Sequence, residues 1–279
     1  MIILDYSQIA LSNIIVQKLN DENMIRHMVL NSISMYNKRY RKEYGQMVIC
    51  ADGMNTWRRQ YFPEYKGMRR KGKEESTMDW NEIFRIVNLI REEIQENLPY
   101  KVMHMEGCEA DDIIGALAIR TQEFGQGEPV MIVSSDKDFI QLQKHSFVKQ
   151  YSPVLKKFVS GIDPHLYIRE HVLKGDRSDG VPNFLSPDNT FVDELRQKPL
   201  SKKKLETWID LEPSDFCSEE MMRNYQRNKT LIDLECIPSD LKATILEDYQ
   251  NAEHGDRTKL LNYFINKRLK NLMNDIGDF

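Results

Sequence analysis

Cysteine is scarce and unpatterned in this chain. Its four cysteines (Cys50, Cys108, Cys217 and Cys236) form no CxxC pair and share no histidine spacing of the kind that binds zinc. A disulfide framework and a structural zinc site are therefore excluded, and reduced thiols fit a reducing cytoplasm. Long hydrophobic runs are missing too, so no membrane span or membrane partner is expected. No basic region followed by a hydrophobic signal segment precedes the first apolar run. Low-complexity tracts and internal repeats are lacking. Nor does one sign of charge dominate. The 39 Lys and Arg residues meet 43 Asp and Glu, and a net charge of −4 argues against a simple basic binder.

What the chain does have is acid at the ends of apolar runs. Met1-Ile-Ile-Leu runs into Asp5, Met47-Val-Ile-Cys-Ala into Asp52, and Pro129-Val-Met-Ile-Val-Ser-Ser into Asp136-Lys-Asp138. Glu109-Ala-Asp111-Asp112 and Gly175-Asp176-Arg-Ser-Asp179 complete the set. Short runs rich in Val and Ile read as buried strands of an α/β sheet, whose ligand crevice lies beyond the carboxyl ends of the strands. Carboxylates delivered there from distant segments repel one another unless a cation sits between them. Hard oxygen donors in that number suit Mg²⁺ or Mn²⁺ and phosphate chemistry. Each acid also has a plainer explanation as a helix cap or turn residue, and one of Glu109, Asp111 and Asp112 is expected to be an N-cap. Five separate caps explain the whole set poorly.

Charge is also unevenly spread. From Trp57 to Lys73, seven cations (Arg58, Arg59, Lys66, Arg69, Arg70, Lys71 and Lys73) stand against a single Glu64. Pro63, Gly67 and Gly72 break up the stretch, which reads as a mobile loop or arch over residues 57–77. Aromatics between the cations (Tyr61, Phe62, Tyr65) offer base stacking beside phosphate contacts. An acidic centre beside a basic strip suits an enzyme acting on a polyanion.

Residues 1–160 alternate apolar strands with helical patterns over Asn23–Tyr44, Met78–Leu98 and Asp111–Phe124, the last ended by Gly125-Gln-Gly127. This predicts a mainly parallel central sheet flanked by helices. Residues 161–279 read as mostly helical. Helices are expected over Asp163–Lys174, Thr190–Lys198, Lys202–Asp210, Ser218–Ile232, Ser239–Tyr249 and Arg257–Ile276. The architecture is thus an α/β domain to about residue 160 followed by a helical part.

In order, the segments LDYSQIAL (Leu4–Leu11), ICADGMNTWRRQYFPEYK (Ile49–Lys66), EESTMDW (Glu74–Trp80) and EADDIIGALA (Glu109–Ala118) carry a family likeness. VSSDKDFIQL (Val133–Leu142), KQYSP (Lys149–Pro153) and LKGDRSDGVPN (Leu173–Asn183) extend it. The chain resembles the flap endonuclease/5′-nuclease family, in particular its branch of T-even-type phage ribonucleases H. The resemblance implies a PIN-like α/β fold with a flexible basic arch and a helical duplex-binding part, and a two-metal phosphodiesterase using Mg²⁺, with Mn²⁺ as an alternative. It places Asp5, Asp52, Asp111 and Asp136 around a first ion, with Glu109 and Asp112 as ligands or supports. Asp138, Asp176 and Asp179 would surround a second ion. Lys66 with Arg69 or Arg70 would neutralise the phosphate. Arg58, Arg59, Tyr65, Lys71, Lys73, Lys202, Lys203 and Lys204 would contact nucleic acid.

The implied activity is 5′→3′ exonuclease and 5′-flap cleavage, with ribonuclease H activity, removing RNA primers and adjacent DNA during phage replication. The implied substrate is duplex DNA or an RNA–DNA hybrid with a 5′ end, flap or fork, cut by a monomer in the host cytoplasm. A sliding clamp and a single-strand-binding protein are the implied protein partners. A non-catalytic binder of branched DNA is the alternative, and a PIN-type ribonuclease a third. The chain departs from the family pattern at residues 182–189, where the glycines of a helix-turn-helix segment are missing. Duplex contacts and any monovalent-ion site near that turn are expected to differ.

Overall fold

A computed structural model describes residues 1–123 and 127–279, except the side chains of Arg70 and Lys71. Its centre is a six-stranded sheet in the order β3-β2-β1-β4-β5-β6. The strands are β1 (Ile2–Asp5), β2 (Met47–Ala51), β3 (Lys101–His104), β4 (Val130–Val133), β5 (Val148–Ser152) and β6 (Lys157–Val159). All neighbours are parallel except β6, which returns antiparallel along β5.

Both faces of the sheet are covered, which is why the central strands are apolar throughout rather than alternating. The period of two survives in which core each residue enters. Ile2, Leu4, Met47 and Ile49 join one buried cluster, while Ile3, Val48 and Cys50 join the other. Ile2, Ile3 and Leu4 are fully buried, each stabilising the fold by roughly 1.5–3 kcal/mol. The chain builds outward from β1 to β3, then jumps back to lay β4 on the other side of β1. The β1/β4 boundary is therefore the switch point where doubly wound sheets open a crevice.

The helices α1 (Tyr6–Gln17) and α2 (Glu22–Tyr44) cover one face together with α5 (Trp80–Asn97). Before α5 come two short helices, α3 (Trp57–Tyr61) and α4 (Gly67–Glu74). Asp21 caps α2 and Asp79 caps α5, and α5 ends where Leu98 turns extended before Pro99. The other face is covered by α6 (Ala110–Arg120), which ends at Arg120. Phe124 and Gly125, where the sequence placed its end, lie outside the described residues.

The helical part contains α7 (Pro164–Lys174), α8 (Lys202–Trp208), α9 (Pro213–Phe216), α10 (Glu219–Ile232), α11 (Ser239–Asn251), α12 (Leu260–Asn266) and α13 (Lys270–Met273). It is stitched to the sheet domain. Leu234, Ile237 and Ile245 enter the core under α6, and Leu260, Phe264 and Phe279 the core under α2 and α5. Tyr263 Oη donates to Glu93 Oε2 at 2.8 Å, beside the buried Arg26–Glu93 pair that ties α2 to α5.

Two helical expectations need correction. Residues 190–198 are not a helix: a 3-10 turn at Asp188–Thr190 leads into a turn over 191–194 and then irregular chain. Side chains take over the backbone bonds there, with Asn183 Nδ2 donating to Lys198 O and Lys198 N donating to Ser186 Oγ. Pro199 also disfavours helical geometry at Lys198. The single helix expected over 257–276 is broken between α12 and α13, where Arg268 takes φ 56° and Leu269 N donates to Phe264 O. This left-handed cap needs no glycine in the sequence, and it folds Leu269 and Leu272 back into the core.

Candidate metal centre and its cation belt

The acids arrive from five segments, each held by its own local structure. Asp5 ends β1 beside the switch point and caps α1: Oδ1 accepts from Gln8 N at 3.1 Å and Oδ2 from Ser134 Oγ at 2.7 Å. Asp52 follows β2. Gly53 beyond it lies so near the Met105 carbonyl that a Cβ would stand 1.7 Å from the oxygen, so only glycine fits. That close approach brings Asp52 Oδ1 to Ala110 N (2.9 Å), at the start of the helix that carries Asp111. Asp136 follows β4 and caps the 3-10 helix Lys137–Lys144, accepting from Asp138 N at 2.9 Å. Asp176 and Asp179 sit on a tight loop closed by an Asp176–Val181 bridge, entered through Gly175 at φ 69°.

These carboxylates crowd one another. Burial pushes Asp5 up to about 7, and the charge of Asp52 adds to it. Burial and then Asp136 push Asp111 well above the carboxylate range. Asp136, at the mouth of the cluster, is raised by burial and by Asp179 and Asp176. Asp138 rises to about 7 through burial and the charge of Asp136. Four acids whose ionisation is opposed by burial and by their neighbours suit a divalent cation, whose charge reverses both effects.

Asp138 and Asp176 share a third donor absent from the sequence reading, His171. The imidazole lies with Nδ1 3.7 Å from Asp138 Oδ1 and Nε2 3.4 Å from Asp176 Oδ2. One ligand atom from each of the three residues lies within 4.8 Å of the others, a spacing that can hold one ion. Burial of Asp176 opposes its charge, yet the nearby His171 imidazole and the Ser178 hydrogen bonds hold its carboxyl well below the usual range. A lone histidine has no spacing signature. The available hint was its place at the end of α7, one turn after Tyr167 and just before the acidic loop.

Asp179 turns away from that trio. Oδ1 takes Arg69 Nη2 at 2.5 Å, and Oδ2 lies 2.8 Å from Tyr65 Oη. Glu109 and Asp112 likewise face protein donors. Glu109 takes Lys66 Nζ at 2.5 Å, with Tyr65 Oη at 2.9 Å and Arg58 Nη1 at 3.3 Å. Asp112 is fully buried, paired with Arg58 Nη1 at 2.7 Å and accepting from Glu109 N to close a capping box on α6. Of the two roles expected for them, ligand or support, this geometry favours support: their oxygens hold the cations and the helix start.

The 57–77 stretch, expected as a mobile loop or arch, carries two short helices, α3 and α4. Phe62 and Tyr65 pack with Val181, Leu231 and Ile232. Lys66 takes a left-handed φ of 56°, fixed by its N–H donating to Asp179 O at 2.7 Å. Two nucleic-acid assignments fall with this. Arg58 is only 3% exposed and bonds Leu231 O besides Glu109 and Asp112, so no phosphate reaches it. Tyr65 is 2% exposed, with its hydroxyl between two carboxylates, so it has no free face for a base. Arg59, Arg69 and Lys73 remain exposed on α3 and α4, as do Lys202, Lys203 and Lys204 on α8. The side chains of Arg70 and Lys71 lie outside the described residues.

A parallel sheet that gathers carboxylates at its switch point, backed by Lys66 and Arg69, defines a class of site suited to phosphate esters and hard cations. Comparison with known proteins narrows the class. Residues 6–170 match the 5′-3′ exonuclease N-terminal resolvase-like domain, and residues 163–279 match the C-terminal domain of T4 RNase H. The chain belongs to the 5′-3′ exonuclease family of hydrolytic nucleases. Across 99% of its length it is 34% identical to the Ribonuclease H of Enterobacteria phage T4, covering 95% of that protein. It is 29% identical over 64% of its length to DNA polymerase I of Bacillus caldotenax, covering 21% of it. Among solved structures, a phage T5 5′-exonuclease with divalent zinc ions bound shares the fold. Its TM-score is 0.63 at 16% identity, covering 90% of this chain and 98% of that one. A T5 flap endonuclease in a pseudo-enzyme–product complex with DNA and metal ions has a TM-score of 0.62 at 16% identity, covering 90% and 97%. Among the described residues no helix is long and apolar enough to cross a membrane.

Proposed function

We propose that the chain is a Mg²⁺-dependent nuclease that removes nucleotides, short RNA primers and flaps from the 5′ ends of duplexes. The observation that carries this reading is the crowding of Asp5, Asp111, Asp136 and Asp138, each raised by burial and by its acidic neighbours. Asp5, Asp52, Asp111 and Asp136 would hold one cation, and Asp138, Asp176 and His171 a second. A bound cation supplies charge that lowers the pKa of an attacking water and offsets charge on the phosphate and leaving oxygen.

The protein's own groups do the rest. Lys66 Nζ stays charged: burial opposes it, but Asp179 and Glu109 hold its pKa above the lysine range. Lys66 and Arg69 face the scissile phosphate as fixed donors, pre-positioned by the carboxylates that pair with them in the free protein. Asp5 and Asp52, tied to helix starts, hold the acid side of the site in place. Lys202, Lys203 and Lys204 extend a basic surface toward the duplex backbone, so recognition follows structure rather than sequence. DNA and metal ions bound to the T5 relative support the same substrate class here.

The test uses one 5′-flap duplex labelled at either the 5′ or the 3′ end, with and without Mg²⁺. The reading expects Mg²⁺-dependent release of short 5′ products, abolished by Asp136→Asn with binding retained. A wild-type protein that binds the flap and never cuts it is instead a binder of branched DNA.

A further inference from the structure

The EESTMDW segment ends beside a cleft of about 720 Å³ that the acid site does not explain. Arg59, Lys66, Arg69 and Lys73 line it from α3, α4 and the turn between them, and Trp80 and Phe84 line it from the first turns of α5. Four residues apart on a helix, those two rings share a face, with centroids 5.8 Å apart. Lys73 Nζ rests 4.3 Å from the Phe84 centroid and 5.9 Å from that of Trp80. Trp80 Nε1 is buried with no hydrogen-bond partner, whereas a buried indole N–H usually finds an acceptor. Glu74 and Asp79 also border the cleft, but Asp79 Oδ1 is turned to Glu82 N as the cap of α5.

Aromatic faces, an unpaired donor and four cations are the complement of one nucleotide: a base to stack, a base acceptor for the indole, and a phosphate. Lys66 and Arg69 also contact Glu109 and Asp179, so the cleft and the acid cluster are two ends of one cation track. We propose that this cleft is a subsite for one unpaired nucleotide of the strand whose phosphate lies at the acid cluster, with its base on Trp80 and Phe84. The proposal rests on the nuclease reading and gives it a preference for strands with an unpaired base.

Binding of the full chain is measured by anisotropy in EDTA, where no strand is cut. The probes are a blunt duplex, the same duplex with a short 5′ thymidine tail, and one whose tail is abasic. The wild type is expected to bind the thymidine tail roughly 10-fold (about 1.4 kcal/mol) more tightly than the abasic one. Trp80→Leu removes that difference and leaves the other two duplexes within twofold, while Trp80→Phe keeps most of it. Should Trp80→Leu fail to fold, Phe84→Leu serves in its place. Equal wild-type binding of thymidine and abasic tails overturns the proposal, as does an equal loss on all three duplexes in the Leu variant. Cutting of the blunt duplex in Mg²⁺ is read separately, so its failure strikes the nuclease reading and not the cleft.

Discussion

Replacing Asp5 by Asn should stabilise the metal-free protein, and the size of the effect follows from the site. Asp5 is 6% exposed and its pKa stands at about 7 against an ordinary 3.8, with burial first and the charge of Asp52 second among the causes. Because the folded-state value is raised, the folded protein is penalised as pH climbs from about 4 to about 7, and the full penalty applies above that. At 1.36 kcal/mol per pH unit the penalty is about 4 kcal/mol at pH 8 and about 2 kcal/mol at pH 5. The Asn variant keeps the cap, since its Oδ1 accepts from Gln8 N and its amide donates to Ser134 Oγ, but it carries no charge. Its advantage over wild type should therefore grow by about 2 kcal/mol between pH 5 and pH 8, or roughly 4–8 °C in Tm. Thermal melts in EDTA at the two pH values measure this. Added Mg²⁺ should reverse the order, raising the wild type and barely moving the variant. An Asn variant no more stable than wild type at pH 8 in EDTA refutes the reasoning, because the charge at Asp5 is then not under strain.

Arg58→Ala leaves Asp112 and Glu109 short of a buried partner and should cost about 3–5 kcal/mol, read as a lower urea midpoint. Arg58→Lys should recover less than half, since one ammonium cannot span the acceptors the guanidinium serves, and an unchanged midpoint in the Ala variant contradicts this. Lys66→Met should slow flap cleavage about 10²–10³-fold with binding kept within a few-fold. An equal loss of binding would make Lys66 a substrate-holding group instead. His171→Ala should weaken Zn²⁺ binding, measured by calorimetry, by at least about tenfold and Mg²⁺ binding less, because imidazole favours the softer ion. Equal losses would limit His171 to positioning Asp138 and Asp176.

The central strands were legible because buried parallel strands are apolar runs, and the acids at their ends stand out against them. Asp5 ends β1, and Asp52 and Asp136 follow β2 and β4, as that pattern implies. Helix α2 was readable to within a residue from its 3.6 period. What failed depends on partners far away in sequence. Phe62 and Tyr65 look like free aromatics among cations until Val181, Leu231 and Ile232 come over them. Arg58 looks like any basic-strip residue, yet its partners lie on α6 and at the end of α10. The break after α12 uses a left-handed arginine where the sequence offers neither Gly nor Pro. His171 gains meaning only once α7 ends against the acidic loop.

Capping and the gathering of carboxylates, set against each other in the sequence, turn out to be one arrangement. Asp5 caps α1, Glu109 and Asp112 box the start of α6, Asp136 caps the 137–144 turn, and Asp176 accepts from Ser178 N. A capping carboxylate gives an oxygen to a backbone N–H, and the cap fixes where its other oxygen can point. The α-helix starts among these bring partial positive charge to the same place, which offsets some of the repulsion between acids before any cation arrives. The fold therefore tolerates a cluster that bare carboxylates would not. Asn substitutions at Asp5 and Asp136 keep the capping acceptor and remove the charge, so they separate chemistry from folding. Alanine at the same positions removes both and cannot make that distinction.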